Sequence, residues 1–144
     1  MIEGIKITPL KQIKDSRGKI MHMLRSDSPI FENFGEIYFS TVNPKIIKAW
    51  HLHKEATLNY CCVYGEVKLV LYDDREQSKT FGKYQELFLS IENYSLITIP
   101  PNIWNGFKGL NKGHSIIANC LNLPHNEKEM VRFDINDNRF NYRW

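Results

Sequence analysis

The chain has 144 residues, 42% hydrophobic and 24% charged, with a net charge of +3 and a pI near 8.7. This is the composition of an ordinary folded domain whose core needs no disulfide or zinc staple, and it predicts one domain over 1–144. The mild positive balance suits an anionic ligand, but no two lysines or arginines are adjacent, which excludes the basic patch that nucleic acid demands.

Taken in chain order, the pattern is short β-rich runs divided by turn signals. Residues 4–9 read as a strand, Asp15-Ser16-Arg17-Gly18 as a turn and Lys19–Leu24 as the next strand. Residues 26–34 read as a loop with room for one helical turn. Gly35–Val42 is a strand stopped by Asn43-Pro44. Ile46–His53 follows, then Leu58–Tyr64 and Glu66–Tyr72, with Gly65 between the last two predicting a tight hairpin. Asp73–Lys83 is polar and loop-like, and Glu86–Ser90 and Tyr94–Ile99 are strands. Pro100-Pro101-Asn102 is a rigid turn before strands Asn105–Gly109 and Ser115–Leu121. The tail from Pro124 to Trp144 is polar with isolated aromatics and one helical turn near 126–130. About ten short strands point to an all-β sandwich or barrel, and a jelly-roll barrel fits the length.

No apolar run reaches the roughly 18 residues of a membrane span, and the first residues lack the charged and apolar regions of a signal peptide. A cytoplasmic protein is expected. The three cysteines, Cys61, Cys62 and Cys120, form neither a CxxC site nor an even-numbered framework and read as buried free thiols.

The most informative stretch is Lys48-Ala49-Trp50-His51-Leu52-His53-Lys54. Residues i and i+2 of a strand share a face, so His51 and His53 should look into one space. Histidine titrates near neutral pH, which points to proton transfer or a metal site. A lone histidine in such a place is commonly a satisfied core residue; two on one face weigh against that.

In their order along the chain, these segments resemble the RmlC-like cupins, and specifically the dTDP-4-dehydrorhamnose 3,5-epimerase family. Asp15-Ser16-Arg17-Gly18 resembles its D-x-R-G turn and Lys48-Ala49-Trp50-His51 its R-G-L-H segment. Gly65-Glu66-Val67 with Asp73-Asp74-Arg75 resembles its G-E-V…D-x-R pattern, and Ile99–Phe107 its I-P-P-G-x-x-H-G-F turn. The segment His51-Leu52-His53-Lys54 also resembles the H-x-H-K of the dTDP-sugar 3,4-ketoisomerases. The resemblance implies a cupin fold and a nucleotide-linked 4-keto-6-deoxyhexose as substrate, in surface-polysaccharide synthesis. It further implies a homodimer, no cofactor, and Arg17 on the substrate phosphate.

The departures are as specific. The family's proton-donating tyrosine falls on Ala118, the histidine of its proline turn on Asn105, and the arginine before its catalytic histidine on Lys48. The aspartate that pairs with the family's histidine is expected to be missing. Metal-binding cupins carry a glutamate and a later histidine where this chain has Leu58 and Asn105. Two imidazoles alone make a poor divalent site, so no metal is expected.

The site expected from these residues has His51 as base, helped by His53. Tyr38 replaces the missing tyrosine, with Tyr60 and Cys120 as other sources of that proton. Substrate would be held by Arg17, Lys48, Glu36, Tyr60, Trp104, Asn105 and His22, with Trp104 available to stack on a base. Lys48 could stabilise an oxyanion only if a bulge brought it onto the His51 face. Epimerisation is the first reading, 3,4-ketoisomerisation the second, and a non-catalytic sugar-nucleotide binder the third.

Overall fold

The computed structural model describes residues 1–144. Its strands are β1 (Lys6–Pro9), β2 (Gln12–Asp15), β3 (Gly18–Met21), β4 (Glu36–Val42), β5 (Ile47–His53) and β6 (Leu58–Tyr64). They continue as β7 (Glu66–Asp73), β8 (Tyr84–Ser90), β9 (Ser95–Ile99), β10 (Ile103–Gly109), β11 (Ser115–Leu121) and β12 (Met130–Arg132). Two five-stranded antiparallel sheets face each other, in the orders β1-β9-β6-β11-β4 and β12-β5-β10-β7-β8. The pair β2–β3 stands apart as a two-stranded ribbon. This is the expected all-β jelly roll.

Alternation builds the core between the sheets. Leu58, Tyr60 and Cys62 point inward from β6, Val67, Leu69 and Leu71 from β7, and Ile97 and Ile99 from β9. Cys61 points the other way, into a smaller cluster with Tyr94 and Leu96 outside the first sheet. Burial pushes the Cys61 thiol up to about 11 and the Cys62 thiol up to about 12, so both stay protonated. The outer face of the second sheet is also covered. Trp50, Leu52, Val70 and Trp104 pack there against Phe140, with Tyr142 and Trp144 of the tail closing over them.

The hairpin expected at Gly65 does not form: β6 and β7 lie in different sheets. Gly65, at φ +75°, turns the chain across the barrel directly over Ser115, whose Oγ would lie 2.5 Å from a Cβ at that position. Ser115 Oγ accepts from Glu66 N at 3.1 Å and donates to Glu66 O at 2.9 Å, which fixes the corner. A glycine between two β runs fits a corner as well as a hairpin. Period alone does not say which sheet the next strand joins.

The Asp73-x-Arg75 pattern is structural. Asp73 is fully buried and receives Arg75 Nε at 2.8 Å and the hydroxyls of Ser78 and Thr80 at 2.6 Å each. Burial alone would raise its carboxyl, but these donors hold it well below the usual carboxylate range. The loop before β8 is thereby anchored. In the tail, the helical turn forms over Glu127–Glu129, capped by Asn126, whose Oδ1 accepts from Lys128 N.

Candidate active site

The position of the site follows from an irregularity in β5. Asn105 pairs with His51, but Phe107, two residues on, pairs with Lys48, so β5 carries one extra residue across that interval. A bulge of this kind turns Lys48 onto the face of His51, against strict alternation. Gly106, between Asn105 and Phe107, permits it: a Cβ there would lie 2.3 Å from that of Ala49.

Lys48, Ala49, His51, Tyr60, Phe107 and Ile117 line a cavity of about 500 Å³, with Tyr38 and Ser40 of β4 on the facing sheet and Met130, Arg132 and Asp134 closing one side. The volume is in the range of small-ligand sites. On β4, Tyr38 and Ser40 share the face that meets the His51 side and reach the cavity, while Glu36, on the same face, lies at the strand end.

The polar groups of the cavity are wired together. His51 Nε2 lies 3.1 Å from Tyr60 Oη. Tyr60 Oη donates to Asn105 Oδ1 at 3.2 Å, and Asn105 Nδ2 donates to the carbonyls of His51 at 3.2 Å and Ile103 at 3.3 Å. Asn119 Nδ2 donates to Tyr38 Oη at 2.9 Å. Lys48 Nζ bridges the sheets by donating to Ser40 Oγ at 2.6 Å and to Thr41 O at 3.3 Å. Burial, followed by the charges of His53, Arg132 and Lys48, pushes the His51 imidazolium down to about 3. The ring is therefore neutral at physiological pH and able to accept a proton. Burial raises the Tyr38 phenol and holds Tyr60 well above its usual value, so both keep their protons.

Several expected site residues lie elsewhere. His53 shares the face of His51, but two residues of strand carry it about 7 Å further, past the end of the cavity at Met130. There it is 4% exposed, with Nδ1 bonded to the Glu129 carboxylate and Nε2 without a partner. Burial pushes the Glu129 carboxyl up, but His53 and the backbone N–H groups of Glu55 and Ala56 hold it below its usual value. Trp104 points outward into the aromatic layer, with its ring 5.1 Å from that of Phe133 and 5.2 Å from that of Phe140. Both faces of the second sheet are buried, so alternation did not reveal which face was the ligand side. Glu36 sits at the strand end, outside the cavity lining. Cys120 is 6% exposed and absent from the lining.

Arg17 caps the tip of the β2–β3 ribbon. Its side chain is 88% exposed and paired only with Asp15 at 2.7 Å. His22 lines a separate surface hollow with Lys11 and Arg25. Neither reaches the cavity of its own chain. Sequence reading missed Arg132 and Asp134. The signal was the alternation Met130, Arg132, Asp134 in a tail read as irregular.

The fold and site define a cupin whose cavity is lined by a neutral imidazole, a phenol on the facing sheet and a lysine that bridges the two sheets. The sequence profile of the dTDP-4-dehydrorhamnose 3,5-epimerase family matches residues 1–144. The chain is similar to a dTDP sugar isomerase from Desulfovibrio desulfuricans G20, a solved structure, with 39% identity over 99% of this chain and 92% of that one and a TM-score of 0.97. It is 29% identical over 146 residues to the spore coat polysaccharide biosynthesis protein SpsL of Bacillus subtilis, covering 100% of this chain and 97% of that protein. It is 32% identical over 120 residues to the probable low-salt glycan biosynthesis epimerase Agl13 of Haloferax volcanii, covering 82% and 77%. The chain belongs to the dTDP-4-dehydrorhamnose 3,5-epimerase family, and it is an isomerase of the epimerase class acting on nucleotide-linked sugars.

Proposed function

We propose that the protein inverts a carbon next to the ketone of a dTDP-linked 4-keto-6-deoxyhexose. The observation that carries this reading is His51 on one sheet and Tyr38 on the other, on facing walls of one cavity that Lys48 also lines. His51 removes the acidic hydrogen beside the ketone as a proton, and the bonding electrons pass to the oxygen as an enolate. The Lys48 ammonium, three residues before the base, faces that developing charge. Tyr38 returns a proton to the opposite face of the carbon. The phenolate and imidazolium then reset through solvent.

The nucleotide is taken as dTDP from the name of the Desulfovibrio relative, and a role in polysaccharide or glycan synthesis from the names of the Bacillus and Haloferax relatives. The proposed reaction is metal-independent: where metal-binding cupins carry a glutamate and a later histidine this chain has Leu58 and Asn105, and two imidazoles fall short of the three or four protein ligands that metal sites want. Ketoisomerisation by an H-x-H shuttle loses support because His53 is held by Glu129 outside the cavity.

The working unit is a homodimer in the cytoplasm, where nucleotide-activated sugars are made. The β2–β3 ribbon pairs with no other strand and exposes Ile13 at 44% and Ile20 at 62%. Laid against a second copy, it would cover that apolar surface and carry Arg17 to the diphosphate bound there.

The test is incubation with dTDP-4-keto-6-deoxyglucose in D2O, followed by mass and NMR analysis of the sugar. Deuterium at a carbon flanking the ketone, in an inverted product, is expected. A sugar that takes up no deuterium would overturn the reading.

A further inference from the structure

We infer that Asn105 and Tyr60 are positioning residues that lock His51 in the Nε2–H tautomer, so that Nδ1 is the nitrogen that takes the substrate proton. This rests on the reading of His51 as the base. Asn105 is wholly buried. Its side-chain nitrogen lies 3.2 Å from His51 O and 3.3 Å from Ile103 O, two carbonyls that can only accept. The reversed amide would set its oxygen against both, so Nδ2 faces them and Oδ1 faces Tyr60.

Asn105 Oδ1 accepts from the Tyr60 hydroxyl at 3.2 Å and also faces the His51 ring as a donor. Leaving a buried carbonyl without a donor costs about 1–3 kcal/mol. Tyrosine has a single hydroxyl proton, and Asn105 takes it. The 3.1 Å contact between Tyr60 Oη and His51 Nε2 is then a hydrogen bond only if Nε2 carries the hydrogen. A neutral imidazole has one N–H, so Nδ1 is left with a free lone pair. Nδ1 makes no hydrogen bond to the protein and is not among the sealed, unpartnered atoms, whereas His53 Nε2 is. It opens instead on the cavity that His51 lines.

The proton balance is simple. The carbon-bound hydrogen leaves as a proton to Nδ1, and His51 becomes an imidazolium with Nε2–H still donated to Tyr60. Tyr60 keeps its own proton throughout, which leaves Tyr38, whose oxygen accepts from Asn119 at 2.9 Å, as the phenol that donates. Asn105 thus does by orientation what a charged partner of the base would do by electrostatics.

The tautomer is read directly by long-range 1H–15N correlation on 15N-histidine-labelled protein at pH 7, with no sugar present and His51 assigned by its absence in His51→Gln. Nε2 protonated and Nδ1 bare is expected; a protonated Nδ1 would overturn the inference even if deuterium exchange were intact. Exchange failing in the parent would instead overturn the epimerase reading, whichever tautomer is found. In Tyr60→Phe the lock is gone: mixed tautomers are expected, with kcat down about 10–100-fold and KM little changed. In Asn105→Ala the Tyr60 proton is released towards Nε2, and the signal is expected to move to Nδ1–H. Should the buried Asn105→Ala fail to fold, the parent spectrum and Tyr60→Phe still decide. A Tyr60→Phe protein with the parent tautomer and parent kcat would contradict the inference.

Discussion

Lys48 and His51 lie three residues apart on one strand and line the same wall of the cavity, because the extra residue opposite Gly106 cancels one step of the alternation. The only other charged groups in the lining, Arg132 and Asp134, come from β12 and the segment just after it. A cation of β5 is thus fixed beside the base by the backbone itself, and Ser40 and Thr41 of the opposite sheet hold its end.

Lys48→Met keeps most of the length of the side chain and removes the charge. Its kcat for deuterium exchange is expected to fall about 100- to 1,000-fold, the usual cost of one donor to a developing oxyanion. Lys48→Arg should recover part of the loss. Parent kcat in Lys48→Met would mean that the enolate is stabilised elsewhere.

Tyr38→Phe separates the two halves of the reaction. The substrate hydrogen should still be lost to His51, whereas formation of the inverted sugar is expected to drop about 100-fold. Tyr38 is 36% exposed, so the fold should tolerate the change. Inverted product at the parent rate would assign the second proton to another group.

The depressed His51 value carries a stability consequence with a defined sign. Its folded-state value near 3 lies below the ordinary 6.5, so the unfolded chain binds the proton first as pH falls. The stability present above pH 6.5 is therefore lost progressively between 6.5 and 3, with a limiting slope of about 1.4 kcal/mol per pH unit. In urea melts, the parent should lose about 2 kcal/mol more than His51→Gln between pH 7 and pH 5. Equal losses would show that His51 titrates normally.

On the proposal that Arg17 holds the substrate phosphate and not the reacting carbon, Arg17→Ala is expected to raise KM about tenfold and leave kcat near the parent value. If the ribbon crosses to a second copy, mixing Arg17→Ala with His51→Gln and allowing exchange should regenerate intact sites and activity. A mixture no more active than its parts would place Arg17 on its own chain's ligand or on none.

Much of the barrel was legible because alternation is a direct image of a half-buried sheet. Leu58–Tyr64 and Ser115–Leu121 were read to the residue. The strands Gln12–Asp15 and Met130–Arg132 were not read, since four and three residues hold too little pattern and are defined by their partners, β3 and β5. For the same reason Arg132 and Asp134 escaped notice. Trp104 lies on a strand buried on both faces, and there alternation does not distinguish the ligand side from the aromatic layer. His53 was read on the right face, but a face does not say how far a cavity extends. Whether Lys48 joins His51 depended on a bulge that only the pairing with β10 reveals.

The most direct measurement is the rate of deuterium uptake from D2O into dTDP-4-keto-6-deoxyglucose by the parent and by His51→Gln, at equal protein concentration and with folding checked by circular dichroism. Uptake next to the ketone in the parent, reduced about 100- to 10,000-fold in the variant, is the expected result. A folded His51→Gln protein that exchanges as fast as the parent would contradict the assignment of His51 as the base.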